Sequence, residues 1–226
     1  MGAFAVDRAK TYAVMFGGAR PGGFARAALW LVRPELPAVA AYRFGQWAER
    51  VRARRRALGT VFVLLHRVWN TWLMRIDHID INHGARIGAG LLLVHGHGVI
   101  IGPVRIGANS VLHQNVTIGQ RVARGDQGMP TIGDDVWIGP GATITGAITV
   151  GDRATISAGT VLSRDVPAGA LVAGNPGRVV ARDYDNAGMI NFVVPADPSS
   201  AEQRARDGRA PSAPGRQRRP VALSAR

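Results

Sequence analysis

Three histidines stand close together near the middle of this chain: His95 and His97 in Val94-His95-Gly96-His97-Gly98, and His113 in Val111-Leu112-His113-Gln114-Asn115. An imidazole is neutral near pH 7 yet can take the proton of a hydroxyl as that hydroxyl attacks, so a histidine presented to solvent is a candidate general base. Imidazole nitrogens also ligate zinc, which needs three or four such ligands converging on one point. The chain has no cysteine, and that excludes disulfides, zinc–thiolate sites and a thiolate nucleophile.

A repeat of six must position these side chains. Ile132, Ile138, Ile144, Val150, Ile156 and Leu162 recur at that spacing, usually followed by glycine and then by polar residues. The period fits neither an α-helix nor a flat strand; it fits a coil of short strands, each turn stacked on the last. Upstream the same register reads through Ile87, Leu93 and Val99 and, after a one-residue slip, through Ile106, Leu112 and Ile118. Four residues after each later aliphatic comes a compact or apolar residue: Val136, Ala142, Ile148, Ala154, Thr160 and Val166. Two inward residues in every six describe a triangular tube, and Gly133, Gly139 and Gly151 ease its close-set turns. In this register His95 is third in its unit and points out of the tube. His97, the fifth, is expected to point inward or to stack at the end of the coil. His113 is second in its unit and reads as a satisfied surface histidine. The slip after Val99 puts His95 and His113 at different repeat positions and leaves no third ligand, so no metal centre is expected. Ile118 and Ile132 stand too far apart for two repeats, so Gln120 to Pro130 is expected to be a loop thrown out of the coil.

The flanks differ in character. Residues 1–76 hold 13 basic and 3 acidic side chains, residues 77–180 hold 7 and 7, and residues 181–226 hold 8 and 5. The net charge of +13 therefore sits in the appendages, while the repeat region is neutral. Pro37 to Ile76 reads as helical, and Val61, Leu64, Leu65, Val68, Trp72 and Ile76 form a wide apolar stripe. Such a stripe is expected to pack on the repeat region or on another subunit; an interfacial membrane contact is the alternative, since Phe62, Trp69 and Trp72 lie among arginines. No apolar run is long enough to span a bilayer, and Asp7 and Arg8 interrupt what a secretory leader would need. The tail beyond Pro195, rich in Pro, Ser, Ala and Arg, is expected to be disordered. The division expected is a basic, mainly helical region over 1–76, a repeat domain over 77–180 and an extension over 181–226.

With the repeats in place, Asp77 to Val180 resembles the left-handed parallel β-helix acyltransferases, most closely the serine O-acetyltransferase group. The strings that carry the resemblance are DINHGARIGAGLLLVHGHGVIIG, VLHQNVTIG and TIGDDVWIGPGATITGAITVGDRATISAGTVLSRDVPAGALVAGNPGRVV. In that group a histidine in a string like D-H-A-T-G is the general base, and an aspartate in V-D-I-H-P is its partner. The matching positions are His95 and, in Ile79-Asp80-Ile81-Asn82-His83, Asp80. A carboxylate on the second ring nitrogen would fix the tautomer and stabilise the imidazolium. The wider hexapeptide acetyltransferases imply cofactor-contacting positions at Pro140, Ala158, Ser163, Arg164 and Arg178. Pro140 stands where small polar residues are common.

The resemblance implies direct acetyl transfer from acetyl-CoA, as co-substrate with no bound cofactor, to the hydroxyl of L-serine, a cytoplasmic step of cysteine biosynthesis. It further implies a homotrimer, or a dimer of trimers joined through the N-terminal helices, with no nucleic-acid partner; peripheral membrane contact through those helices is the other contact the sequence allows. Two departures bear on the acceptor. Val94 replaces the aspartate before the active histidine, and Gly128-Met129-Pro130 replaces the loop string R-H-P. A site that recognises an amino acid discriminates through such polar groups, so a sugar hydroxyl is the rival acceptor. The readings from other classes are an inert β-helix scaffold and a basic membrane or nucleic-acid binder.

Overall fold

The computed structural model describes residues 2–16, 22–121 and 128–190. Helices α1 (Ala3–Met15), α2 (Gly23–Val32), α3 (Glu35–Arg54) and α4 (Arg56–Ile76) precede the coil. The first turn of the coil is β1 (Asp80–Ile81), β2 (Arg86–Ile87) and β3 (Leu92–Val94), and the second is β4 (Ile100–Ile101), β5 (Arg105–Ile106) and β6 (Val111–His113). The third is β7 (Thr117–Gly119), β8 (Thr131–Ile132) and β9 (Trp137–Ile138), and the fourth is β10 (Thr143–Thr145), β11 (Thr149–Val150) and β12 (Thr155–Ile156). The last comprises β13 (Val161–Leu162), a bridge from Val166 to Val150, and β14 (Leu171–Ala173). Each turn gives one strand to each of three parallel sheets, ordered β1-β4-β7-β10-β13, β2-β5-β8-β11 and β3-β6-β9-β12-β14.

The repeat aliphatics stack rung on rung inside the tube: Ile81, Ile101, Ile118, Ile144 and Leu162 on one side, Ile87, Ile106, Ile132, Val150 and Val166 on the next, Leu93, Leu112, Ile138, Ile156 and Val172 on the third. All are buried. The upstream register differs from the sequence reading at Val99. Its place is taken by Ile101, and Val99 is the second inward residue, level with Val116 and Ala142. The chain between Leu93 and Ile101 is thus two residues longer than a repeat, and the chain between Ile101 and Ile106 one shorter. Val166 likewise occupies a main repeat position, because the last turn is short on that side.

Exposed coil ends are unpaired strand edges, and both are covered. At the C-terminal end β15 (Arg178–Ala181) turns back antiparallel on β14. At the N-terminal end α3 caps the first turn with side chains. The Tyr42 hydroxyl donates to Ala85 O (2.9 Å) and accepts from Ile87 N–H (3.1 Å), while Arg43 donates to Ile87 O and Gly88 O, each at 2.7 Å. Helix α1 adds two buried charges. Asp7 accepts from Gly90 N–H, Leu91 N–H and Arg43, and Lys10 Nζ donates to Asn109 O (3.0 Å) and Asn109 Oδ1 (2.6 Å). The sequence reading gave a mainly helical region over 1–76 but delimited no helix before Pro37, where α1 and α2 lie. The polar residues that anchor α1 lie on its buried face, which hides any amphipathic signal.

Burial pushes the Lys10 ammonium down from 10.5 to about 8, against the pull of Asp135 and then Asp7. Between these two values the unfolded chain holds more protons than the folded one, so this group's contribution to stability rises as pH climbs from 8 to 10.5 and is absent below 8. At 1.36 kcal/mol per unit the rise amounts to about 3 kcal/mol. Urea denaturation at the two ends of that window should show it in the native chain and lose it in Lys10→Met.

The segment after β15 is fastened to the coil as far as Ile190. Ile190 is buried against Leu92 and Val111, Asn186 Nδ2 donates to Asp135 O (2.9 Å), and Tyr184 N–H donates to Gly169 O (2.8 Å). The tail beyond Ile190 and most of the expected loop, residues 122–127, lie outside the described residues. Helix α4 packs on α3 through Gly59, Val63, His66 and Leu73, and its wide apolar stripe faces away from the coil of its own chain, which removes the first of the expected partners and leaves another subunit or a membrane.

Candidate active site

The two extra residues between β3 and β4 push one corner of the triangle outward. At this edge each later turn places a left-handed residue, Asn115 (φ 58°), Gly141 (φ 69°) and Gly159 (φ 67°), and Gly98 (φ 67°) is their equivalent in the first turn. His95, at φ 52°, is an additional left-handed residue that the insertion creates. Its side chain is exposed, in agreement with the sequence reading. The side chain of His97 is 64% exposed, not inward, because the insertion takes it out of the repeat register.

Two carboxylates from outside the coil brace this corner. Glu35, in the first turn of α3 where the helix dipole favours negative charge, accepts the Gly96 N–H through Oε1 at 3.1 Å. Its Oε2 is buried without a hydrogen-bond partner, and Arg33 Nη1 lies 3.9 Å from Oε1. Gly96 is required here, since a Cβ would come within 2.8 Å of Glu35 Cγ. Asp77, at the end of α4, accepts the Gly98 N–H on its backbone oxygen at 3.2 Å and places Oδ1 3.8 Å from His97 Nδ1. Asn115 N–H then ties the corner to the next turn through His97 O (2.8 Å).

Val94 pairs with His113, and by that register Gln114 lies below His95, Pro140 below Gln114 and Ala158 below Pro140. The backbone ties the lower part of the stack together, Gly141 N–H donating to Gln114 O (2.9 Å) and Gly159 N–H to Pro140 O (2.8 Å); the equivalent bond in the first turn, from Asn115 N–H, goes to His97 O, so His95 and His97 flank the insertion at the head of this edge. Three of the residues singled out in the sequence, His95, Pro140 and Ala158, therefore line one edge. Ser163 and Arg164 sit one corner further along the last turn, and Arg178 opens β15, its guanidinium donating to Gly177 O. Within one chain these three are not gathered with His95. Asp80 starts β1 and accepts from Asn70 Nδ2 at 3.3 Å; no hydrogen bond joins it to His95 among the described residues.

His113 is half-buried against Trp137, ring centroids 4.6 Å apart, with Nδ1 3.0 Å from Ile138 O. A carbonyl accepts only, so Nδ1 carries the proton. Burial lowers its pKa, the Ile138 bond opposes this, and His95 adds a smaller lowering. Among the described residues no three His, Asp or Glu side chains converge as a metal site would need. Two residues of this edge were missed in the sequence. Gln114, whose Oε1 is buried without a partner, becomes visible once the two-residue insertion is counted. Glu35 carries no sequence signal, since only the tertiary fold brings α3 to the corner.

The fold has counterparts among known proteins. The family model described as bacterial transferase hexapeptide (six repeats) matches residues 129–164. The serine acetyltransferase of Helicobacter pylori (strain ATCC 700392 / 26695) is 34% identical over 119 residues, which is 52% of this chain and 64% of that one. The chain thus spans under two thirds of this curated relative, and only 28% of the one from Synechocystis. Among solved structures, serine acetyltransferase from Brucella abortus strain S19 in complex with coenzyme A superposes with a TM-score of 0.64 at 27% identity, covering 79% of this chain and 67% of that one. Soybean serine acetyltransferase complexed with serine gives 0.65 at 30% identity, covering 79% and 68%. Five triangular turns, a histidine on an enlarged corner and these likenesses together make the chain a member of the serine O-acetyltransferase-like family of hexapeptide-repeat acyltransferases, built on the left-handed parallel β-helix.

Proposed function

We propose that this protein transfers the acetyl group of acetyl-CoA to the hydroxyl of L-serine. The observation that carries the reading is the exposed imidazole of His95, raised on an enlarged corner at the head of the edge that Gln114, Pro140 and Ala158 continue. The relatives that bind coenzyme A and serine support the same pair of substrates. In the reaction His95 takes the hydroxyl proton as the oxygen attacks the thioester carbonyl. The tetrahedral oxyanion is stabilised by backbone N–H groups of the coil, the carbon–sulfur bond breaks, and the imidazolium returns the proton to the leaving thiolate. Asp80 is the carboxylate that orients the imidazole; hydrogen bonds of this kind often close only when substrate binds. Pro140, Ala158 and Ser163 line the path of the pantetheine arm, and Arg164 and Arg178, both exposed, meet the phosphates.

The chain works as a homotrimer. Arg164 sits one corner on from the edge of His95, and Arg178, paired with Ala173, lies at the opposite end of the coil from it, so packed copies are what bring these arginines of one subunit toward His95 of the next. The sheet holding β3, β6 and β9 is covered on its outer face by Val14 and Ile190, which leaves the other two sides for subunit contacts. No helix among the described residues is long and apolar enough to cross a membrane. Acetyl-CoA as donor supports a cytoplasmic enzyme.

A second reading, acetylation of a sugar hydroxyl, is favoured by Val94 and by Met129, which packs against the apolar core where a polar loop residue was expected. CoA-release kinetics with L-serine and a panel of sugars test both readings. Release that depends on serine supports the first, release that depends on a sugar replaces the acceptor, and release with neither defeats the reading.

The brace from Glu35 gives a further expectation. Glu35→Gln keeps an oxygen for the Gly96 N–H and should retain most turnover. Glu35→Ala frees the corner and should lower kcat by about tenfold to a hundredfold, since small misplacements of a catalytic group cost that much. KM for acetyl-CoA should stay unchanged, and steady-state kinetics of the two variants provide the check.

A further inference from the structure

We infer that the outward face of α4, together with the arginines around its start, docks on an anionic lipid surface. Leu58, Val61, Leu65, Val68, Trp72 and Ile76 follow one another at three- and four-residue steps and are each between 45% and 64% exposed. A continuous stripe of this kind differs from the scattered apolar residues of an ordinary surface and marks a contact site. At 1.5 Å per residue the 21-residue helix is about 30 Å long, and all of it lies along the surface of the protein.

Charge selects the occupant. Arg50, Arg52, Arg54, Arg55 and Arg56 crowd the junction of α3 and α4, and Arg67 and Arg75 lie further along; all seven are exposed. The three carboxylates of residues 1–76 offset only one of them, because Asp7 and Glu35 are buried and Glu49 is bonded to Arg52 at 2.7 Å. A second copy meeting this face with its own equivalent face would bring the same arginines and only Glu49, already bonded to Arg52, to answer them. Nucleic acid would satisfy the charge and leave the apolar stripe in water. An interface of anionic headgroups over acyl chains answers both, as amphipathic helices with arginine flanks and Trp, Phe and Leu on the buried face do. The groove lined by Trp47, Val51, Arg54, Arg55, Leu58 and Phe62 puts apolar walls and guanidinium groups side by side, as a headgroup and its chain require.

The test uses the full chain, sedimented with vesicles of phosphatidylcholine alone or mixed with phosphatidylglycerol. Binding is expected on the mixed vesicles only, is lost at high salt, and carries a blue shift of tryptophan emission. Leu65→Glu with Val68→Glu should abolish it. Arg54→Glu with Arg55→Glu should weaken it by about twentyfold or more, at roughly fivefold per arginine near an anionic surface. These positions are exposed, and an unchanged thermal melt shows that the variants fold. No binding to the mixed vesicles overturns the proposal, as does binding that survives the Leu65 and Val68 changes. Light scattering that shows the native particle falling apart in the same variant assigns the face to a second copy instead, and duplex DNA that binds regardless of those changes assigns the charge to nucleic acid.

Discussion

Replacing His95 by alanine should lower kcat about a thousandfold while the thermal melt and the affinity for CoA stay close to those of the native protein; a positioned general base contributes about a hundredfold to ten-thousandfold. The side chain is exposed and makes no hydrogen bond among the described residues, so its loss opens no cavity and strands no polar group. Its backbone, at φ 52°, is a position that asparagine tolerates better than alanine, and His95→Asn is therefore the cleaner variant: it keeps the corner and removes the base. His97→Ala should cost little, because the contact of that ring with Asp77 at 3.8 Å is largely solvent-exposed. CoA release under saturating substrates is the measurement. Near-normal turnover in His95→Asn would take the residue out of the reaction.

Asp7→Ala is the variant expected to weaken the fold most. The carboxylate is nearly inaccessible and receives Gly90 N–H at 2.7 Å, Leu91 N–H at 2.9 Å, Arg43 Nε at 2.8 Å and Arg43 Nη2 at 3.2 Å. Its removal leaves two backbone donors unsatisfied and the Arg43 cation buried without its counter-ion. Breaking a buried pair from one side costs about 3–5 kcal/mol, whereas removing both charges together costs much less. Asp7→Ala with Arg43→Met should therefore recover a good part of the loss. Denaturant titrations of the single and double variants make the comparison, and a loss under about 1 kcal/mol in the single variant would place the pair among ordinary surface ion pairs.

Much of the architecture was legible because a repeat of six is a long-range signal written locally: each Ile132-type residue declares its own inward position. The reading slipped where the period is broken. Val99 lies six residues after Leu93 and is apolar, so it passes for a repeat position, yet the main-chain pairing of Ile101 with Ile81 and Ile118 shows that two residues have been added. The same insertion carries His95, so the irregularity that misled the register is also what lifts the imidazole of the corner into solvent. The exposure of His95 was predicted correctly from a register that fails only after it, and that of His97 was missed for the same reason. The apolar stripe of α4 was legible as a stripe, but sequence cannot tell an inward face from an outward one. Glu35 and the buried partners of α1 were invisible, because they act on backbone groups 61 to 99 positions away, a span that no local pattern reports.

A tube of stacked rungs should come apart one rung at a time from whichever end frays first, since each turn touches only its neighbours. Here Asn109 and Asp135, on successive turns in mid-coil, are held from two distant parts of the chain: Lys10 grips Asn109, Asn109 Nδ2 donates to Asp135 at 2.7 Å, and Asn186 donates to Asp135 O. The first helix and the segment after the last strand are thereby fastened to a common central girdle. Unzipping from either end must release that girdle, so amide exchange in the outer rungs should be nearly as slow as in the middle, and the whole barrel of rungs should open as one unit.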